Sequence, residues 1–148
     1  MKRDLVTDIK VANSIKPATL TASANGGGVD TLGFMSVSVL ISLAAATGLD
    51  GSNNIVFKVQ ESVDNATFTD VDATVAADNL DGSTDYVPGH AAVTVDADAE
   101  TDQAYKIGYR GYQRYVRVVA TVTGTVSIIG SAAVILGDAE ITPAAQPV

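Results

Sequence analysis

The chain has 148 residues, enough for one domain that buries roughly two thirds of the surface its unfolded form would expose. Hydrophobic residues make up 47% of it but aromatics only 5%, with no tryptophan, a composition suited to a core of small β-branched layers. The absence of cysteine excludes disulfides, thiolate metal sites and a cysteine nucleophile, while a formal charge of −8 without a basic run argues against a general nucleic-acid binder, because phosphates need clustered Lys and Arg.

The N-terminal stretch "MKRDLVTDIKVANSIKP" has scattered charges and no apolar run of secretory-signal type, which predicts synthesis and folding in the cytoplasm. Leu5, Ile9 and Ala12 fall at 3- to 4-residue spacing, so a short helix or an arm is expected over residues 1–16. "NGGG" at Asn25–Gly28 marks a turn. From Phe34, "SVSVLISL" alternates Val37, Val39, Ile41 and Leu43 with Ser36, Ser38, Leu40 and Ser42, a strand with one dry and one mixed face. After the turn "GLDGSNN", "NIVFKVQES" repeats the pattern with Ile55, Phe57 and Val59 inward. "DNAT" at Asp64–Thr67 is a turn into a second strand, with Phe68 and Val71 flanking Thr69 and Asp70 and the aromatic expected to tuck inward.

Eleven of the seventeen acidic residues lie between Glu61 and Asp102. Beyond them, "RYVRVVATV" sets Val116, Val118, Ala120 and Val122 opposite Tyr115, Arg117, Val119 and Thr121. "VTGTV" reads as a tight hairpin into a last strand, "TVSIIGSAAVIL", in which Gly130 marks a bulge or close approach. The final "ITPAAQPV" reads as an extended tail or an arm that orders on a neighbouring subunit. The apolar windows are too short for a helix crossing about 30 Å of hydrocarbon, so no membrane is expected. Many short strands with regular turns imply an all-β fold: one antiparallel β-sandwich or jelly roll over residues 17–138, an N-terminal arm or short helix before it and an extended tail over 139–148.

Little in the sequence supports catalysis. His90 is a lone histidine after the turn "VPG", without the positioned partner that nucleophile–base chemistry requires. No nucleophile elbow, His-Glu-x-x-His or P-loop is present. "DNLDGSTD" at Asp78–Asp85 and "DADAETD" at Asp96–Asp102 concentrate hard oxygen ligands in loops, as calcium requires, but neither has EF-hand spacing and both read as solvated acidic loops. No cofactor is expected and the chain reads as a non-enzyme.

Two resemblances add to this. "VQESVDNATFTDVDA" at Val59–Ala73, together with "RYVR" at Arg114–Arg117, resembles strand elements of discoidin-like jelly rolls, which implies architecture more than ligand. "IKVANSIKPATLTASANGGGVDTLGF", "VQESVDNATFTDV", "IGYRGYQRYVRVVATVTGT" and "AAVILGD" resemble small head proteins of tailed bacteriophages, prophages and gene-transfer agents. That resemblance implies a capsid decoration, cement or vertex spike-base protein at the virion surface, assembled in the host cytoplasm. Its partners would be the major capsid protein, further copies of itself as a trimer or pentamer, and a spike or fibre protein. The acidic region Ala73–Asp102 departs from the family pattern.

Four of the five tyrosines and three of the four arginines fall between Tyr105 and Arg117. Gly108 and Gly111 break the strand pattern there, so Tyr109, Arg110, Tyr112 and Arg114 crowd a strand end and are expected to be interface anchors, since Tyr and Arg combine apolar area with directed donors. The mixed face Ser36/Ser38/Leu40/Ser42 leaves further apolar surface for subunit contacts. A carbohydrate-binding jelly roll in a host-adsorption structure and a tail or connector ring component are the alternatives. Plain pairing of these side chains with acidic neighbours across a sheet is the non-functional one.

Overall fold

A computed structural model describes residues 5–71, 92–141 and 144. Among the described residues ten strands follow one another: β1 (Lys10–Leu20), β2 (Ala24–Asn25), β3 (Val29–Asp30), β4 (Phe34–Thr47), β5 (Asn54–Ser62), β6 (Thr69–Asp70), β7 (Ala92–Val95), β8 (Ala104–Tyr109), β9 (Tyr115–Thr123) and β10 (Ser127–Ala139). One sheet has the order β1-β10-β4-β8. The other has β9 and β5 at its centre, β2 and β3 along the free edge of β9, and β6 and β7 along the free edge of β5. All pairings are antiparallel. If β2/β3 and β6/β7 are each taken as one interrupted strand, successive connections wire the sheets as a jelly roll.

The alternation seen in the sequence is what fills the space between the sheets. Val39, Ile41 and Leu43 face Ile55, Phe57 and Val59 across the core, joined by Val116, Val118, Ala120, Ile128, Val134 and Leu136, all buried. Gly130 sits at a register shift between β10 and β4, where Leu43 and the Ser42 carbonyl crowd its face.

Several connections differ from the sequence reading. The 3- to 4-residue spacing near the N-terminus does not make a helix: residues 6–8 form one turn and the chain then enters β1, so the expected boundary between residues 16 and 17 lies inside a strand. Pairing along β10 from Lys10↔Leu136 to Leu20↔Ile128 buries Ile15 and Leu20, which outweighs the weak preference of a short isolated helix. Pro17 is accommodated because β1 is an edge strand with a register irregularity at Ile15/Ala18. "VTGTV" is not a hairpin: β9 and β10 belong to different sheets, and Gly124 (φ +75°) turns the chain from one sheet to the other. The β4–β5 connection crosses beside it, with the Thr125 amide donating to Asn53 Oδ1 (3.0 Å). At the other end, β10 runs on to Ala139 and Ala144 N donates to the Thr7 carbonyl (2.8 Å), so these positions of the expected tail lie along the body.

Part of the acidic region belongs to the second sheet, since β7 pairs with β5. Asp70 pairs with Gln60, Val71 N donates to Val59 O, and Ala92 pairs with Lys58, so Val71 and Ala92 occupy successive register positions on β5. Residues 72–91, which include the Asp78–Asp85 motif and His90, lie outside the described residues. Excising residues 72–91 and joining Val71 to Ala92 is expected to leave a folded sandwich. Its thermal midpoint should equal or exceed that of the full chain, because the cost of closing the chain between two adjacent register positions on β5 is removed. Circular dichroism and calorimetry check this, and loss of cooperative unfolding would contradict the register.

Candidate interface site

The Tyr/Arg cluster is distributed by strand geometry. Along β8 the alternation sends Tyr105, Ile107 and Tyr109 inward and Lys106, Gly108 and Arg110 outward. Tyr109 is only 7% exposed. Its hydroxyl donates to Glu61 Oε2 (2.5 Å) and accepts from Gln113 N (3.1 Å), holding the β8–β9 connection against the end of β5. Burial, reinforced by the Glu61 carboxylate, pushes the phenol well above the ordinary tyrosine value. Gly111 lies against the Tyr109 ring, where any Cβ would overlap it. The chain is thereby lifted outward, and Tyr112 at the crest is fully exposed.

Arg114 turns back toward β3, where Nε and Nη2 grip the Asp30 carboxylate (3.0 and 2.7 Å) and the guanidinium lies 5.2 Å from the Tyr115 ring centroid. The Arg114 hydrogen bond, more than any other cause, holds the Asp30 carboxyl below its usual range. Thr31 completes the attachment: its amide (2.8 Å) and hydroxyl (2.9 Å) both donate to the Arg114 carbonyl.

Of the four expected anchors, Tyr109, Arg110 and Tyr112 border one open groove, Tyr109 as a buried strut, while Arg114 is exposed and paired with Asp30. Their neighbours come from the turn between β3 and β4. Asp30 Oδ1 accepts the Leu32 amide (3.0 Å), Gly33 takes a positive φ of +87°, and Leu32 (69% exposed) and Met35 (77% exposed) project from the bend. Thr31, Phe34, Met35, Gly108, Arg110 and Tyr112 are among the residues lining an open groove of about 580 Å³ between the two connections. Leu32 and Met35 were not singled out from sequence. The available signal was "TLGF", in which Gly at the third of four positions supplies the positive φ that a type II turn requires.

Phe68 also departs from its expected place. It is half-buried on the outer side of the second sheet, beneath the Arg117 guanidinium at 4.0 Å from the ring centroid, while Val71 supplies the buried contact. Arg117 additionally donates from Nε and Nη2 to Gln60 Oε1 (2.9 and 2.7 Å). In the Asp96–Asp102 loop the Glu100 carboxylate is used locally, accepting the amides of Asp96 (2.7 Å) and Ala97 (3.1 Å). Among the described residues, no three His, Cys, Asp or Glu side chains gather as a metal site would require.

No protein-family model matches the sequence, and no curated protein matches it. Among solved structures, the chain is similar to the SPBc2 prophage-derived protein YomS (16% identity, 91% of this chain and 100% of that one, TM-score 0.47). It is also similar to a pilus protein of Bacillus endospore appendages (11% identity, 94% and 97% covered, TM-score 0.40) and to the xylan-binding module CBM15 (14% identity, 95% and 97% covered, TM-score 0.37). With TM-scores below 0.5 these likenesses carry no functional argument, and the jelly-roll assignment rests on the strand register.

The Tyr109 linkage gives a signed prediction. A phenol held protonated in the folded state contributes stability that is complete below the unfolded tyrosine pKa of about 10 and is lost as pH rises above it. Tyr109→Phe should therefore abolish part of the alkaline destabilisation expected of wild type. At neutral pH it should cost about 1.5–3 kcal/mol, because Glu61 loses its donor. Denaturant unfolding between pH 7 and 11 measures both effects, and identical pH dependence in the two proteins would contradict the strut.

Proposed function

We propose that the chain is a non-catalytic virion structural protein that seats on the major capsid shell as a decoration, cement or vertex spike-base subunit. The observation that carries this is the groove at the β3–β4 and β8–β9 end. Fully exposed Tyr112 stands there with Met35 and outward-facing Arg110, on connections held by Tyr109 and by the Arg114–Asp30–Thr31 attachment. Exposed Tyr, Met and Arg on a fixed frame suit a protein contact, because they bring large area at little ordering cost. The phage-head resemblance of the sequence points the same way, and jelly rolls recur in capsids as an analogy of fold.

The test adds purified protein to capsids lacking it and measures co-sedimentation, with mass spectrometry of native virions alongside. Wild type should bind. Tyr112→Ala and Arg110→Ala should each weaken binding by about tenfold or more while leaving the fold intact. Absence from virions together with no capsid binding would end this reading.

One observation favours a second reading: a fully exposed Tyr112 ring beside an open groove also suits stacking on a sugar. Glycan-array binding that disappears in Tyr112→Ala would select it.

A further inference from the structure

The edge strands of the two sheets are guarded unequally. β1 carries Pro17, two register irregularities and the exposed Lys16, features that keep a further strand from pairing. At the edges of the other sheet, β2, β3 and β6 are two residues long each and β7 four. β8 has neither proline nor bulge: its six residues pair with β4 in unbroken register from Ser42↔Ala104 to Val37↔Tyr109. Leu43 N donates to Gln103 O (2.9 Å), so the odd-numbered residues of β8 direct their backbone groups to β4, and the N–H and C=O of Ala104, Lys106 and Gly108 point to the free side. Among the described residues no group bonds to that row. The side chains of Lys106 and Arg110, four residues apart, are exposed and have no ion-pair partner among the described residues. Of the carboxylates nearby in the sheet, Asp138 on β10 accepts from Ser36 Oγ (2.7 Å), and Asp102 precedes β8 at the end away from Arg110.

We infer that β8 takes up an extended acidic segment of a partner as an added antiparallel strand, with carboxylates four residues apart set against Lys106 and Arg110. The backbone row supplies a ladder that any extended chain can use, and charge selects the occupant. A second copy laid along the full length of β8 about a two-fold axis sets Lys106 directly opposite Lys106, a like-charge pair. A neutral strand satisfies the backbone but leaves both cations unaddressed, whereas an acidic one adds two charge-assisted contacts to the ladder. The residues between its two acids fall on the inner side, next to buried Tyr105, Ile107 and Tyr109, where β-branched side chains extend the core layer. The edge adjoins the Tyr112 groove, which Gly108 and Arg110 also line, but the inference rests on the backbone row and the two cations and not on the capsid reading.

The probe is an acetylated, amidated octapeptide, Thr-Glu-Val-Thr-Val-Glu-Val-Thr, titrated into isotope-labelled protein and followed by amide resonances. No capsid is present, so failure here is distinct from failure of the co-sedimentation test. The Ala104, Lys106 and Gly108 amides should shift and gain protection from exchange, and binding should be about tenfold tighter than that of the counterpart with Lys at both Glu positions. Lys106→Glu should weaken binding about tenfold, while Lys16→Glu on β1 should change nothing. Gly108→Pro removes an outward N–H and no bond to β4, so it should fold and lose the peptide; if it does not fold by circular dichroism, Lys106→Glu decides. No binding at millimolar peptide, equal binding of the two peptides, shifts away from β8, or pairing of β8 with a second copy would overturn the proposal.

Discussion

The hydroxyl of Ser14 closes the sandwich along one side. A register shift between Asn13 and Ile15 turns two successive residues of β1 inward, and Ser14 reaches across to the other sheet. There β2 and β3 both follow β9 but part from it at Gly26–Gly28, which deprives Val118 of a regular strand partner. Ser14 Oγ accepts the Val118 amide (2.8 Å) and donates to the Gly27 carbonyl (2.9 Å). Gly27 N donates to Ser14 O (2.9 Å) and Gly26 N to Val118 O (2.8 Å). A buried backbone amide left without a partner costs about 1–3 kcal/mol, so the bulge and the serine depend on each other. Gly26 is required by space, since a Cβ there would overlap the Ser14 hydroxyl and the Val118 carbonyl.

From that clasp the rest of the molecule follows. With β3 held to β9, Asp30 and Thr31 are positioned to capture Arg114, and the β8–β9 connection is fixed from both sides, by Arg114 and by the Tyr109 hydroxyl. The exposed Tyr112, Met35 and Leu32 are thus carried on a frame that binding would not need to order. On the β9/β5 sheet Lys58 pairs with Asp70, Arg117 with Gln60 and Arg114 with Asp30, so these groups are satisfied within the chain while Tyr112, Met35 and Leu32 remain exposed.

The strands of this fold were legible in the sequence because alternation reports burial directly: Val39/Ile41/Leu43, Ile55/Phe57/Val59 and Val116/Val118/Ala120 are the core faces expected. The Gly130 irregularity and the Asp64–Thr67 turn were legible too, since Gly and Asp act locally; Asp64 Oδ1 accepts the amides of Ala66 and Thr67 (both 2.9 Å). Connections between sheets were not. "VTGTV" carries hairpin chemistry, and only the partner strands decide that it crosses a corner. The first strand hid behind a helix-like spacing because its bulge breaks the period of two. In the Tyr/Arg cluster, strand parity sends Tyr109 inward and Arg110 outward, but the roles of Asp30, Glu61 and Met35 arise from contacts distant in sequence.

The account's central claim is that Ser14 joins the two sheets, and hydrogen exchange at the Val118 amide tests it most directly. In Ser14→Ala, Val118 should exchange at least tenfold faster than in wild type, and global stability should fall by about 1–3 kcal/mol. Unchanged protection of Val118 with unchanged stability would contradict it.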